Sequence, residues 1–287
     1  MTVLQILILA LIQGAAELLP VSSSAHVIVA SKLMGLDPTS PHMTLLLVML
    51  HTGTMFAVII YFWKSWLASF FSSWPAFWNA VKLVTISTFF TGIVGLSLKY
   101  IIEKVFLKHI PDAEIEHLFG NLQMISIALA SVGILIIFAE WKSRSVKKPM
   151  ETINVKSSIW IGIIQGICLP FRGFSRSGAT ISTGISLGVL KNKVEEFSFA
   201  LVVVLTPPVI FREILRLLKA ENAHNLNMAE ISSLFVPGLT GMVFSFISGM
   251  IALKWLSFWL EHKRWHFFGF YCLFASGVTF FLHSIGY

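Results

Sequence analysis

Residues 13–26 read Gln-Gly-Ala-Ala-Glu-Leu-Leu-Pro-Val-Ser-Ser-Ser-Ala-His, and residues 165–180 read Gln-Gly-Ile-Cys-Leu-Pro-Phe-Arg-Gly-Phe-Ser-Arg-Ser-Gly-Ala-Thr. In each copy a Gln-Gly pair lies ten residues before a serine, from Gln13 to Ser23 and from Gln165 to Ser175. The copies are offset by 152 residues (165 minus 13), about half of the 287-residue chain. A duplicated polar break in apolar sequence predicts a buried site that is built from two structural repeats.

The composition predicts an all-α polytopic membrane protein. Hydrophobic residues make up 56% of the chain and charged residues only 12%, whereas soluble domains carry about 25% charged residues. No strand-like alternation indicates an outer-membrane barrel. The net charge of +7 is interpreted as loop charge next to anionic lipid, so no nucleic-acid partner is expected.

The apolar stretches predict six full transmembrane spans, because a span needs roughly 20 apolar residues. They lie near 41–63, 83–103, 121–141, 196–218, 231–258 and 267–286. Two further apolar stretches, 2–35 and 156–190, are interrupted by the polar clusters. Irregular backbone at membrane depth is tolerated only inside protein or beside a water-filled cavity, so we expect two re-entrant helical hairpins. Uninterrupted pairs of full spans are the rival interpretation.

The distribution of Lys and Arg predicts the orientation. The loops near 64–82, 142–156, 191–196 and 254–264 hold twelve Lys and Arg residues, and the opposite side holds seven. The first set is therefore expected to be cytoplasmic, with both termini outside. Each half then has one hairpin and three spans. Since three is odd, residues 1–141 and 156–287 form an inverted repeat within a single membrane domain, 1–287.

The first cluster carries groups that could perform chemistry. Glu17 is the only carboxylate between residues 1 and 36, and a carboxylate at membrane depth costs about 2.5–3.5 kcal/mol on insertion scales. We expect it to act as an acid, a base or a metal ligand, with a structural ion pair as the alternative. A serine is a poor nucleophile unless a base removes its proton, and His26 could be that base for Ser23. Glu17 could orient the histidine.

The second cluster predicts an anion site. Free amide groups at a helix N-terminus, small hydroxyls and guanidinium groups bind phosphate well. Arg172 and Arg176 in one intramembrane tip are hard to explain without an anion, and a phosphate or diphosphate fits the many donors. The expected phosphate-binding residues are Arg172, Gly173, Ser175, Arg176, Ser177 and Thr180.

Four more polar residues are candidates for substrate binding, each with a structural alternative. Ser22 and Ser24 flank Ser23 after Pro20, where serines also serve as helix N-caps. Gln13 and Gln165 occupy matching positions and could donate to a phosphate oxygen, orient a water or help to hold a divalent ion. Hydrogen bonds in helix packing are the alternative for both glutamines.

At these residues the chain resembles the undecaprenyl-diphosphate phosphatases of the bacitracin-resistance type. That family's first motif, Glu or Gln followed four residues later by Glu, matches Gln13 and Glu17, and Leu-Pro-Val-Ser-Ser-x-x-His matches Leu19 to His26. Its second motif, Pro-Gly-x-Ser-Arg-Ser-x-x-Thr, matches Gly173 to Thr180, with Arg172 in place of the proline. The resemblance covers the whole chain.

The resemblance implies hydrolysis of undecaprenyl diphosphate, a polyprenyl diphosphate lipid, to undecaprenyl phosphate and phosphate. This reaction recycles the lipid carrier of cell-wall synthesis. The resemblance also implies that Mg²⁺ or Ca²⁺ assists the reaction and that the site lies on the outer side of the inner membrane. The implied catalytic set is Glu17, Ser23, His26 and Arg176, with Glu17 as metal ligand. The sequence leaves the oligomeric state open, with a homodimer as one option.

Two departures from the family pattern affect these expectations. Gln13 stands where many members have a second glutamate, so a two-carboxylate metal site is in doubt. Arg172 adds a charge that we expect to contact the distal phosphate or to offset part of the metal dependence.

The sequence excludes one other function and leaves a second as an alternative. The phosphatidic-acid phosphatase class needs Ser-Gly-His and a Ser-Arg pair followed six residues later by His, and neither motif is present: Ser24-Ala25-His26 is not the first, and Ser182 lies six after Arg176. A transporter or lipid flippase is the alternative, because inverted repeats with broken helices are transporter architecture. A transporter has no need for a serine beside a histidine.

Overall fold

The computed structural model describes residues 1–37, 41–106, 120–224 and 228–286, and these ranges contain ten α-helices. For some residues in α3, α8, α9 and the π-helical turn only the backbone is described. The helices are α1 (Val3–Leu18), α2 (Ser23–Leu33), α3 (Pro41–Ser69), α4 (Trp74–Ile101), α5 (Leu122–Ser143), α6 (Val155–Cys168), α7 (Arg176–Ser186), α8 (Lys191–His224), α9 (Met228–Glu261) and α10 (His266–Ser284). A π-helical turn, Ile102–Phe106, continues α4.

The predicted class, an all-helical membrane protein, is confirmed. In the described part of the chain, five helical stretches are long and apolar enough to cross a bilayer: Met43–Ser69, Trp74–Lys104, Leu122–Ser143, Val236–Glu261 and His266–Ser284. The remaining predicted span, 196–218, falls within α8. The count of six spans stays a prediction.

Several helices are longer than the sequence predicts. The predicted loop 64–82 is mostly helical, because α3 continues to Ser69 and α4 begins at Trp74. The Ser73 side chain caps α4 by accepting a hydrogen bond from the Ala76 amide at 3.3 Å, and a proline stands in the first turn. Likewise, the predicted loop 191–196 is the first turn and a half of α8, and α9 continues to Glu261. Apolar composition predicts only the part of a helix that lies in lipid. The helix itself can continue beyond that part into polar sequence.

Both polar clusters interrupt helices, as predicted. α1 ends at Leu18 and α2 begins at Ser23, whereas α6 ends at Cys168 and α7 begins at Arg176. Each short pair packs together, α1 on α2 and α6 on α7. At the second break Gly173 has φ +100°, and a Cβ there would lie 2.7 Å from the carbonyl oxygen of Ile125. This position therefore requires glycine.

The described chain forms two compact units. The first comprises Met1–Leu19, Ser23–Phe62 and Val202–Leu256, and the second comprises Pro20–Ser22, Trp63–Leu201 and Ser257–Tyr287. Each unit therefore takes residues from both halves of the sequence, and the repeats 1–141 and 156–287 stay a prediction.

In the first unit, α1, α2 and α3 share an apolar core formed by Ile6, Leu9, Ala10, Val27, Met43, Leu46 and Leu50. Helix α9 packs closely on α1, since a Cβ on Gly14 would lie 2.5 Å from the carbonyl oxygen of Ser245. Ser245 Oγ donates to the Leu50 carbonyl and Ser248 Oγ to the Leu11 carbonyl, both at 2.9 Å. Small residues and serine hydroxyls of this kind hold helices together in a membrane, where the hydrophobic effect does not drive helices to associate.

In the second unit, side-chain hydrogen bonds also join pairs of helices. Ser158 Oγ of α6 donates to the Leu83 carbonyl of α4 at 2.5 Å. The Ser126 and Ser276 hydroxyls connect α5 to α10, each donating to the other's carbonyl, at 2.9 and 2.8 Å. The Trp265 indole donates to Ser182 Oγ of α7 at 3.0 Å. Hairpin α6–α7 is therefore held by polar contacts to its surroundings.

Three buried acidic side chains, one from the end of α5 and two from the start of α8, are hydrogen-bonded within this unit. Glu140 pairs with Lys191 at 2.5 Å, and Glu195 accepts from Ser257 Oγ at 2.6 Å. Glu196 accepts from Ser65 Oγ at 2.5 Å and Ser69 Oγ at 2.9 Å. Their partners indicate a structural role, because buried charges persist when they are paired and hydrogen-bonded.

We expect Gly162→Ala to weaken the α4–α6 contact. A Cβ at Gly162 would collide with the backbone carbonyl of Ser87, so the helices must separate at a cost of about 1–3 kcal/mol. The matched control is Gly92→Ala in α4, where no atom lies within 4 Å of the added Cβ and helix propensity favours alanine by up to about 1 kcal/mol. Thermal unfolding in detergent should give a lower midpoint for Gly162→Ala only; equal midpoints would contradict this packing.

Candidate functional site

Glu17 and Ser23 are in direct contact in the first unit. Ser23 Oγ donates a hydrogen bond of 2.5 Å to Glu17 Oε2, and Gln13 Nε2 donates to the same oxygen at 3.0 Å. Gln13 and Glu17 are one turn apart on α1, and Ser23 is the first residue of α2. The break between the helices thus brings the serine back to the carboxylate. A short bond of this kind suits a carboxylate that accepts the proton of an attacking hydroxyl.

His51 is a further neighbour of Glu17 that the sequence analysis does not select. Its Nε2 atom lies 3.6 Å from Glu17 Oε2. The residue is in α3, within an apolar run that predicts only a membrane span. The available signal is a histidine near the middle of that span, because ionisable residues in such segments are rare and usually functional.

The tip of the first hairpin has a strained backbone. Ser22 adopts φ +67°, a left-handed conformation that costs a non-glycine residue roughly 1–2 kcal/mol. Pro20 precedes it, and its carbonyl oxygen accepts from Cys272 Sγ at 3.3 Å within the second unit. Ser24 and His26, both half-buried, follow in the first turn of α2. Ser22, Ser24 and His26 thus flank Ser23, and their expected roles stay predictions.

The second cluster forms the capped start of α7 in the second unit. Ser175 is the N-cap residue, and its Oγ accepts from the Gly178 amide at 3.2 Å. Ser177 Oγ lies 3.3 Å from Ser175 Oγ. Thr180 Oγ1 donates to the Arg176 carbonyl at 2.8 Å and lies 2.6 Å from Ser198 Oγ of α8. The predicted helix start is confirmed, and such a terminus with hydroxyls around it favours an anion.

The two arginines of this cluster differ in exposure. Arg176 is the first residue of α7 and is half-buried, whereas Arg172 lies before the helix and is exposed. Gly173 is buried between them. A half-buried guanidinium at a helix N-terminus adds its charge to the partial positive charge of the helix dipole. Arg176 is therefore the better placed of the two to hold a phosphate.

The matching glutamines are used differently. Gln13 contacts Glu17, but buried Gln165 donates from Nε2 to Thr91 Oγ1 of α4 at 3.0 Å. Its Oε1 atom has no hydrogen-bond partner among the described residues. The Thr91 hydroxyl in turn donates to the Gly162 carbonyl at 3.0 Å. These contacts agree with the helix-packing alternative for Gln165 and leave its role toward substrate a prediction.

The site residues fall into two groups, one in each unit. Gln13, Glu17, Ser23, Ser24 and His26 belong to the first unit. Ser22, Gln165 and the residues from Arg172 to Thr180 belong to the second. Within the described residues, no three His, Cys, Asp or Glu side chains are grouped so that they could hold a metal ion. The first group provides a hydroxyl bound to a carboxylate, and the second provides a positively charged helix start.

Known proteins resemble this chain over nearly its whole length. The model of the family described as bacitracin resistance protein BacA matches residues 6–278. Undecaprenyl-diphosphatase 2 of Acinetobacter baylyi is 55% identical over 97% of both chains. The undecaprenyl-diphosphatases of Bacteroides fragilis and Parabacteroides distasonis are 31% and 30% identical, each over 95% of both chains. The match to the family model spans nearly the whole chain, and the protein therefore belongs to the bacitracin resistance protein BacA family.

Proposed function

We propose that this protein is an integral membrane phosphatase that hydrolyses undecaprenyl diphosphate to undecaprenyl phosphate and inorganic phosphate. The family and the names of its relatives support this activity. The observation that carries it is the 2.5 Å hydrogen bond from Ser23 Oγ to Glu17 Oε2. Such an enzyme recycles the lipid carrier of cell-wall synthesis, which accounts for bacitracin resistance when it is abundant.

In the first step Glu17 accepts the Ser23 hydroxyl proton while Ser23 Oγ attacks the terminal phosphorus. The bond between that phosphorus and the bridging oxygen breaks, and undecaprenyl phosphate leaves with the electron pair. In the second step water attacks the phosphorus of the phosphoserine and gives a proton to His26. The bond between Ser23 Oγ and phosphorus breaks, protonated Glu17 returns its proton to Oγ, and phosphate leaves. The 2.5 Å contact supports Glu17, instead of the expected His26, as the acceptor of the Ser23 proton. His26, three residues after Ser23, then serves the water of the second step.

Arg176 and the start of α7 hold the diphosphate. Phosphoryl transfer needs mainly positioning and neutralisation of charge on the phosphate oxygens. The α7 amides, the Ser177 hydroxyl and the Arg176 guanidinium supply donors for these oxygens. Arg172, being exposed, contacts the distal phosphate from the solvent side.

The oxygen ligands that the protein offers are too few to hold Mg²⁺ or Ca²⁺ alone, so we propose that the cation binds together with the substrate. Mg²⁺ is commonly held by one or two carboxylates and by substrate phosphates. Glu17 supplies one carboxylate and Gln13 an amide oxygen, so the diphosphate must supply the other ligands. The cation would neutralise phosphate charge when bound.

We also propose the membrane topology that the sequence predicts. Six spans and two re-entrant hairpins form the inverted repeat, with both termini outside the bacterial inner membrane and the site on the periplasmic side. The excess of Lys and Arg in the loops near 142–156 and 254–264 supports this orientation. A homodimer stays one option for the assembly.

Phosphate release from undecaprenyl diphosphate by the purified protein in detergent tests the proposal. We expect release with Mg²⁺ or Ca²⁺ and much less with a chelator. Detergent removes the two compartments that a transporter or flippase needs, so release there reports chemistry alone. A folded protein that releases no phosphate with either cation would contradict the proposal and favour transport.

A further inference from the structure

Ser198 is a buried serine of α8 that contacts α7 inside the second unit. Its Oγ atom lies 2.6 Å from Thr180 Oγ1, and it has no other hydrogen-bond partner among the described residues. Helix α8 also packs closely on α7 one turn away, because a Cβ on Gly184 would lie 2.4 Å from Val194 Cγ1. The packing of the two helices therefore gives the Ser198 hydroxyl a fixed position beside Thr180.

The partners of the two hydroxyls decide which of them donates. Thr180 Oγ1 donates to the Arg176 carbonyl at 2.8 Å, with the Ser177 carbonyl 3.4 Å away, and a carbonyl oxygen only accepts. A threonine hydroxyl has one proton, so Thr180 accepts in its contact with Ser198, and Ser198 donates. The hydrogen bonds thus run in one direction, from α8 through Thr180 to the first turn of α7.

We propose that Ser198 is a positioning residue for the reaction and that it acts through Thr180 on Arg176. The Ser198 proton fixes the rotation of the Thr180 hydroxyl, and that hydroxyl holds the backbone carbonyl of Arg176. This connection fixes the point from which the Arg176 side chain reaches the phosphate. The inference rests on the proposed phosphatase function and assigns Ser198 no contact with substrate.

Single variants at both ends of this hydrogen bond measure its effect. Ser198→Ala removes the donor, and we expect it to lower kcat/KM about 10- to 10²-fold, the scale for a displaced catalytic group. Thr180→Val keeps the shape of the side chain without its hydroxyl and should lose at least as much. Thr180→Ser keeps the hydroxyl and should retain most of the rate.

Two double variants identify the path. If Ser198 acts through the Thr180 hydroxyl, Thr180→Val/Ser198→Ala should match Thr180→Val within about twofold. If the effect reaches the phosphate through the guanidinium, Arg176→Ala/Ser198→Ala should likewise match Arg176→Ala. Independent effects would multiply instead, because the contributions of uncoupled sites add as free energies.

Ser276→Ala is the matched control. Ser276 is a buried serine of α10 whose Oγ donates to the Ser126 carbonyl of α5 at 2.8 Å, so its loss also removes a hydrogen bond between helices. We expect this variant to keep the kcat/KM of the wild type. The unfolding midpoints of all variants, measured in the same detergent, identify any loss of fold.

The outcomes are distinct. A lower kcat/KM for Ser198→Ala that disappears in the Arg176→Ala background supports the positioning role. A Ser198→Ala protein as fast as Ser276→Ala, or a loss that multiplies with that of Arg176→Ala, would overturn it. If Ser198→Ala does not fold, a Thr180→Val protein as fast as Thr180→Ser would overturn it as well. Failure of the proposed function gives a different result, because the wild type itself would then release no phosphate.

Discussion

Purified Ser23→Ala protein is expected to release phosphate from undecaprenyl diphosphate at least about 10³-fold more slowly than the wild type. The substitution removes the oxygen that attacks phosphorus and the hydroxyl that bonds to Glu17. Initial rates measured with the same cation and detergent give the comparison. The carboxylate should keep its bond to Gln13, so the fold is expected to survive.

The control for this variant is Ser131→Ala. Ser131 is an exposed serine of α5 whose hydroxyl donates to the Ile127 carbonyl at 2.8 Å, so its loss should not affect the rate. If Ser23→Ala matched this control, Ser23 would not be the nucleophile, and a water activated by His26 would be the remaining choice. Rapid release by both Ser23→Ala and His26→Ala would contradict the mechanism as a whole.

Arg176→Ala is expected to lower kcat/KM about 10³-fold, at the lower end of the range for arginines that stabilise phosphoryl transfer. The substitution removes a half-buried charge from the start of α7 while Ser175 still caps the helix. Arg176→Lys should recover only part of the loss, because a lysine lacks the planar fork that binds two phosphate oxygens. Steady-state rates over a range of substrate concentrations measure these effects.

Arg172→Ala provides the comparison within the same cluster. Arg172 is exposed and lies outside the helix, so we expect its loss to cost much less than that of Arg176. Equal losses for the two alanine variants would contradict the assignment of Arg176 as the principal phosphate ligand. A cation requirement unchanged in Arg172→Ala would remove the idea that Arg172 offsets part of it.

Sequence alone predicts the breaks in the helices well, because their cause is local. Pro20 cannot continue α1 because it has no backbone N–H, and Gly173 adopts a backbone angle that few other residues tolerate. The all-helical class follows from composition, because an apolar chain inside a membrane must form its backbone hydrogen bonds internally. The ends of α3, α4 and α8 were less predictable, because polar residues outside the bilayer continue a helix as readily as apolar ones do.

Contacts between distant segments account for what the sequence missed. His51 lies 34 residues after Glu17 (51 minus 17) in a mainly apolar run, and only the packing of α3 on α1 brings them together. Gln165 matches Gln13 in sequence but bonds to Thr91, because α6 packs on α4. Repeated sequence therefore predicted where the two glutamines lie along their helices but not which neighbours they contact.

The central claim is that Ser23 performs the chemistry and that Arg176 binds the phosphate of the substrate. Equilibrium binding of undecaprenyl diphosphate to the inactive Ser23→Ala protein, and to Ser23→Ala/Arg176→Ala, tests it most directly. We expect the single variant to bind the lipid without turnover and the double variant to bind it about 10- to 100-fold more weakly, the value of a hydrogen bond to a charged group. Equal dissociation constants for the two proteins would contradict the account.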